Sequence, residues 1–246
     1  AALADGDVRQ ALNLIEVATD FADCAGSQIA LDEALLIKLS STGTRRFDKR
    51  GDVFYEQIST LHKAMRGSDP DASLYWYARM LDGGCDPLYI ARRCIRMASD
   101  DIGLADPRAL QSALDATAVH ERLGSPEGEL AIAEAVVYLA CAAKSNAVYE
   151  AFNAATALAK ESGSAEVPMT LRNAPTALLK DEGYGKGYRY AHDEPGAFAP
   201  GAQYFPDGVA PKHFYEPTER GLESAIKEKL DRLRAMNRQA QQESGA

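Results

Sequence analysis

Apolar side chains recur every three or four residues through the first two-thirds of the chain, the spacing that lines one face of an α-helix. Val8, Ala11, Leu12 and Ile15 follow Asp7, which reads as an N-cap. A second helix is predicted over 31–39. Asp52 caps another, carrying Phe54, Ile58, Leu61 and Met65 and stopped at Gly67. Four later boundaries share one device. Asp69-Pro70, Asp86-Pro87, Asp106-Pro107 and Ser125-Pro126 each offer a capping side chain followed by proline at the first helical position, where its missing N–H costs nothing. The stretch 130–143 is apolar on almost every side and predicts a central, buried helix. Val148, Ala151, Phe152, Ala155 and Leu158 give 147–160 an apolar face. No period-two alternation predicts a strand. With short connections, the expectation is an all-α chain of antiparallel helices, as a compact bundle or stacked pairs.

The pattern changes over 163–217. Seven of the 11 prolines fall there (Pro168, Pro175, Pro195, Pro200, Pro206, Pro211 and Pro217), too many for regular structure. Five tyrosines make it too aromatic for disorder. The prediction is an extended strap, briefly helical over 174–180, with its tyrosines, Phe205 and Phe214 filling pockets. Thr218 then caps a last amphipathic helix through Leu222, Ile226, Leu230 and Leu233, acidic at its start and basic at its end, with residues from 237 onward frayed.

Composition narrows the function classes. The chain has 246 residues, is 46% hydrophobic and 26% charged, and carries a formal charge of −9. No apolar run approaches the roughly 20 residues that cross a bilayer. An acidic chain binds nucleic acid poorly unless its positive charge is clustered. Cys24, Cys85, Cys94 and Cys141 form no CxxC pair and read as reduced thiols, mostly in the core. His62, His120, His192 and His213 are scattered singly, so no metal site is predicted.

Few residues carry candidate chemistry. Arg9 falls in the first turn of its helix, where positive charge opposes the helix dipole by about 0.3–1 kcal/mol. It suggests an anion to meet, or a surface pairing with Asp5. Arg45, Arg46, Lys49 and Arg50 form the densest basic run, suited to phosphate contact or to a solvated linker. Gly183-Tyr184-Gly185-Lys186-Gly187 lacks the spacing of a P-loop. It is either an anion nest flanked by Lys186 and Arg189 or a conformationally demanding turn. Asp100-Asp101 reads as loop and capping chemistry. Arg92, Arg93 and Arg96 suit acidic neighbours or a subunit contact. No nucleophile, base and acid combine into a catalytic site within the chain.

Longer motifs add a resemblance. Gly6-Asp7-Val8-Arg9-Gln10-Ala11-Leu12-Asn13 resembles the sensor-2 motif of clamp-loader-group AAA+ ATPases. Phe54-Tyr55-Glu56-Gln57-Ile58-Ser59-Thr60-Leu61-His62-Lys63, Asp86-Pro87-Leu88-Tyr89-Ile90-Ala91-Arg92-Arg93, Asp100-Asp101-Ile102-Gly103-Leu104-Ala105-Asp106-Pro107 and Leu171-Arg172-Asn173-Ala174-Pro175-Thr176, the last continuing through 183–192, are similar to blocks of the replication-associated recombination protein A family. The eukaryotic member of that family is the Werner-helicase-interacting ATPase.

The resemblance implies a chain whose complete protein is an ATPase using ATP and Mg²⁺ at stalled replication forks. Its implied partners are further copies of itself in a homotetramer, DNA forks and ends, and single-strand-binding protein. It implies a cytoplasmic, nucleoid-associated location and no membrane. Residues 1–66 would complete a helical lid, 67–236 form the tetramerisation domain, and 237–246 a flexible tail. The opening Ala1-Ala2-Leu3-Ala4 reads as the end of a helix, so an upstream part with the P-loop is expected to be missing and no hydrolysis is expected of this piece alone. Arg9 would reach the γ-phosphate of ATP held by that part. The alternative reading is a helical DNA-binding or protein-interaction module using Arg45–Arg50 and the Lys186/Arg189 turn.

Overall fold

The computed structural model describes residues 24–25, 28–29 and 52–244. The predicted helices over 7–16 and 31–39 lie outside them. Eight helices account for most of the described chain: α1 (Asp52–Arg66), α2 (Pro70–Asp82), α3 (Pro87–Met97), α4 (Arg108–Leu123), α5 (Glu127–Cys141), α6 (Ala147–Glu161), the five-residue α7 (Ala177–Asp181) and α8 (Glu223–Ser244). The fold is all-α. One two-residue antiparallel ladder, Cys24–Ala25 with Gln28–Ile29, is too short for side-chain alternation to signal it. Two compact units divide the chain: the first runs to Ala98 and resumes over Ala109–Ala142, and the second comprises Ser99–Arg108 and Ala143 onward.

The first unit is a helical bundle closed by oil. Phe54, Ile58, Leu61 and Met65 repeat at the helical period on α1 and are all buried. They meet Tyr77 and Met80 from α2, and Ile90, Cys94 and Met97 from α3. α5 is the shared partner, packing against α1, α2 and α3 through Ile132, Val136 and Leu139. Asp69 and Asp86 cap as their spacing predicts. Asp69 Oδ1 accepts from the Ala72 N–H at 2.9 Å, and Asp86 Oδ1 from the Leu88 N–H at 3.0 Å. Asp106 does the same for Arg108 at 3.2 Å.

Two expectations fail in this unit. Ser125 does not cap α5. Pro126 occupies the capping position with no side-chain bond, and backbone acceptors replace it, the Gly128 N–H donating to Gly124 O at 2.7 Å. Glu127 and Glu129 supply the first-turn negative charge. The helix is central yet not buried all round, because Leu130 stays 75% exposed. Cys141 is also exposed, while Cys85 and Cys94 are in the core as expected. Burial pushes the Cys94 thiol up to about 12.

The second unit buries little oil and is held by polar contacts. After a π-helical turn (Ala98–Ile102) and a 3₁₀ turn (Gly103–Ala105), the chain returns as α6, then as the strap, then as α8. The last helix starts at Glu223, four residues later than a cap at Thr218 predicts: the Thr218 hydroxyl accepts from the Arg220 N–H at 3.2 Å, as a cap does, and also donates to the Glu223 carboxylate at 2.8 Å, where the regular helix begins. It then runs to Ser244, through the stretch expected to fray. There Asn237 Oδ1 accepts from the Gly201 N–H of the strap at 2.9 Å, and Gln239 donates to Glu243 one turn on.

Candidate functional site

Two helices have the polarity of their apolar faces reversed. On α4 the buried residues are Ala109, Ala113, Ala116 and His120, while Leu110 and Leu114, one turn apart, point to solvent at 38% and 44% exposure. On α6 the buried residues are Ala147 and Ala151, while Val148, Tyr149 and Phe152 are exposed, Phe152 at 70%. The sequence predicts an apolar face on α6 correctly, but its large side chains point to solvent. Burying a phenylalanine or leucine side chain is worth about 1.5–3 kcal/mol, far more than an alanine. Both faces thus bury alanines and leave larger apolar side chains in water.

The start of α8 is fixed by a buried carboxylate. Glu223 is inaccessible to solvent. Its oxygens accept from the Tyr215 hydroxyl at 2.9 Å, the Thr218 N–H at 2.9 Å and the Thr218 hydroxyl at 2.8 Å. Burial alone would raise its pKa. Donors from Ser145, Thr218 and Tyr215 outweigh that and hold the carboxyl below its usual range. Burial and the adjacent carboxylate push the Tyr215 phenol up. Gly221 brings the backbone in beside this cluster. Its φ is +55°, and a Cβ there would collide with the Ala105 carbonyl oxygen, which instead accepts from the Leu222 N–H at 2.9 Å. Arg234 completes the latch with bonds to Glu216 and to Tyr215 O, both at 2.9 Å.

The strap itself folds into an open cleft of about 740 Å³ lined by 170–174, Lys180, Tyr184, Gly185, Lys186, Tyr188 and Tyr204. Gly183, Gly185 and Gly187 all have positive φ, so the turn is conformationally demanding in the way its glycines suggest. Its N–H groups do not form an anion nest. Those of 183, 184, 185, 186 and 188 donate to carbonyls, including Gly185 to Met169 O at 2.9 Å. The expectation that the strap's rings fill pockets fails for Tyr188, Tyr190 and Tyr204, each more than half exposed, whereas Tyr184, Tyr215, Phe205 and Phe214 are half-buried and the two phenylalanine rings pack 6.1 Å apart. Polar ties hold the segment, so it needs little burial. Arg172 bonds Val167 O and Glu166 and stacks 5.6 Å from the Tyr184 ring. Arg189 forks onto Glu194 at 2.7 and 2.8 Å and reaches Pro200 O with its third nitrogen.

The predicted site residues thus separate. Lys186 lines the cleft. Arg189 is committed to Glu194, whose carboxyl it holds below the ordinary range, and braces the strap from within. Arg9, Arg45, Arg46, Lys49 and Arg50 lie outside the described residues. Arg172, Lys180 and Tyr204 join the cleft without having been singled out for it. Arg172 precedes the glycine turn by more than ten positions and Tyr204 follows it by nearly twenty, so only the folded strap gathers them. Asp100 and Asp101 sit in the π-helical turn, where Asp101 O accepts from the Ser145 N–H at 2.8 Å, a structural use. Among the described residues no group of three or more His, Cys, Asp or Glu side chains could hold a metal ion, and no helix is long and apolar enough to cross a membrane.

Two families match the chain. The one described as MgsA AAA+ ATPase C terminal matches residues 67–234, and the one described as AAA C-terminal domain matches residues 1–66. The chain is 62% identical to Replication-associated recombination protein A of Coxiella burnetii, over 96% of this chain and 54% of that protein. It is 55% identical to the protein of the same name from Escherichia coli strain K12, over 94% and 52% respectively. It is 41% identical to ATPase WRNIP1 of Dictyostelium discoideum, over 88% of this chain and 26% of that protein. The chain spans about half the length of the bacterial relatives it matches.

Proposed function

The chain belongs to the family described as MgsA AAA+ ATPase C terminal, and from that premise we propose that it is the assembly region of an oligomeric ATPase of replication-associated recombination. The complete protein uses ATP and Mg²⁺ in a part not contained in the described residues. It works on forked or broken DNA, with single-strand-binding protein as a partner. Residues 67 onward bring copies together as a homotetramer, and residues 1–66 complete the lid over the nucleotide.

One observation carries the assembly reading: α4 and α6 each turn alanines inward and large apolar side chains outward. A tetramer built from two-fold contacts needs two self-complementary patches on each copy. Two such helix faces match that need. Light scattering on the purified chain tests it. The unaltered chain is expected to be a tetramer at micromolar concentration. Leu114→Asp and Phe152→Asp, which place a charge on each face, are expected to yield smaller species, and the pair of substitutions a monomer. An unaltered chain that is already a monomer overturns the reading.

The lid reading has its own test. A first-turn guanidinium on the γ-phosphate stabilises charge in phosphoryl transfer and couples nucleotide state to the lid. In the complete protein Arg9→Ala is expected to lower ATPase turnover about tenfold or more with the tetramer retained. Unchanged turnover contradicts it.

A further inference from the structure

We propose that the strap cleft binds single-stranded nucleic acid, clasping phosphates with Lys180 and Lys186 and stacking bases on Tyr188 and Tyr204. This goes beyond the assembly reading and does not depend on it. The first support is charge. The chain carries 36 acidic residues against 27 basic ones, yet this cleft is lined by Lys180, Lys186 and the Glu166-paired Arg172, and no carboxylate is among its lining residues. The ammonium groups of Lys180 and Lys186 have no hydrogen-bond or ion-pair partner among the described residues. The second is aromatic exposure. Tyr188 and Tyr204 stand 52% and 57% exposed at the cleft, apolar rings kept in water. Rings beside cations are the platform on which unpaired bases stack, independent of sequence, because every base has a π-face.

The third support is rigidity. The glycine turn is closed by its own carbonyls, and Arg172 is pinned by Glu166 and Val167 and lies against Tyr184. The cleft therefore exists before a ligand arrives, which lowers the entropy lost on binding. Its volume is in the range of small-ligand clefts, about 300–1,000 Å³, which suits a short stretch of single strand. An acidic peptide would use the lysines but leave the two rings without a role.

Fluorescence anisotropy with a labelled oligothymidylate of about 20 nucleotides at about 50 mM salt tests the site on the full chain. Binding is expected, with Tyr188→Ala plus Tyr204→Ala weakening it about tenfold or more at unchanged salt slope, and Lys180→Glu plus Lys186→Glu reducing the slope. An abasic oligomer of equal length is expected to bind about tenfold more weakly. Photocrosslinking of a 4-thiothymidine oligomer to the unaltered chain is expected to mark residues within 170–204. Sedimentation of each variant separates this site from assembly, since the oligomer is expected to survive all four substitutions. The proposal is overturned by no binding to the unaltered chain, by equal affinity for the abasic strand, by crosslinks elsewhere, by an acidic peptide outcompeting the oligomer at the cleft, or by a binding loss that only follows dissociation of the oligomer.

Discussion

The two units reach order by opposite means. In the first, α1, α2, α3 and α5 share a core in which Leu61, Met65, Met80, Ile90, Met97, Ile132 and Leu139 are all inaccessible to solvent. Its few inner polar groups serve the helices, as when the Tyr77 hydroxyl donates to Glu129 O at 2.9 Å. In the second, a strap of 55 positions with only Ala199 and Pro217 buried is kept in place by Glu223, Arg234, Arg189, Arg172 and Asn237. Apolar burial is non-directional and tolerates relaxation, so a bundle survives modest repacking. A hydrogen-bonded latch is directional, and removing one partner leaves the others unsatisfied. The contrast gives the molecule a firm bundle and a shaped, water-exposed surface.

Substitutions sharpen that contrast, the largest effect first. Leu139→Ala empties the centre of the first unit and is expected to cost about 4 kcal/mol by denaturant unfolding followed at Trp76, the single tryptophan. Glu223→Ala strands the donors of Tyr215, Thr218 and Ser145 and is expected to cost about 2–3 kcal/mol. Its signature is early amide exchange in 199–223, with α5 amides still protected. If the bundle and the strap lose protection equally in Glu223→Ala, the division of labour is wrong.

Acid gives the smallest effect. The folded Glu223 carboxyl titrates below its unfolded value of about 4.3, so its contribution is complete above that value and is lost as pH falls through the depressed folded one. As pH falls below about 4.3, amide exchange in the strap is expected to quicken before that in the bundle. Glu223→Gln, which keeps the shape and loses the charge, is expected to flatten that dependence. An acid profile identical in the two proteins would contradict the assignment.

Helix existence was legible along the described chain because local rules decide it. Asp69 and Asp86 cap where Asp-Pro says they should, and the i, i+3, i+4 repeat of α1 is the face that packs. Facing was less legible. Periodicity finds the stripe of Val148, Phe152 and Leu158 on α6 but does not say whether the rest of the chain covers it. Glu223 reads as a first-turn acid on an exposed helix, and nothing local reveals that Thr218 and Tyr215 turn back to it. The cleft is similar. Lys186 stands out beside the glycines, whereas Arg172, Lys180 and Tyr204 meet it only through the path of the strap.

We propose that copies of the chain cover the outward faces of α4 and α6. Sedimentation velocity over a concentration series of the unaltered chain addresses it most directly. A tetramer that persists to low micromolar concentration and dissociates only on further dilution is the predicted result. A single species at the mass of one chain throughout the series would contradict it.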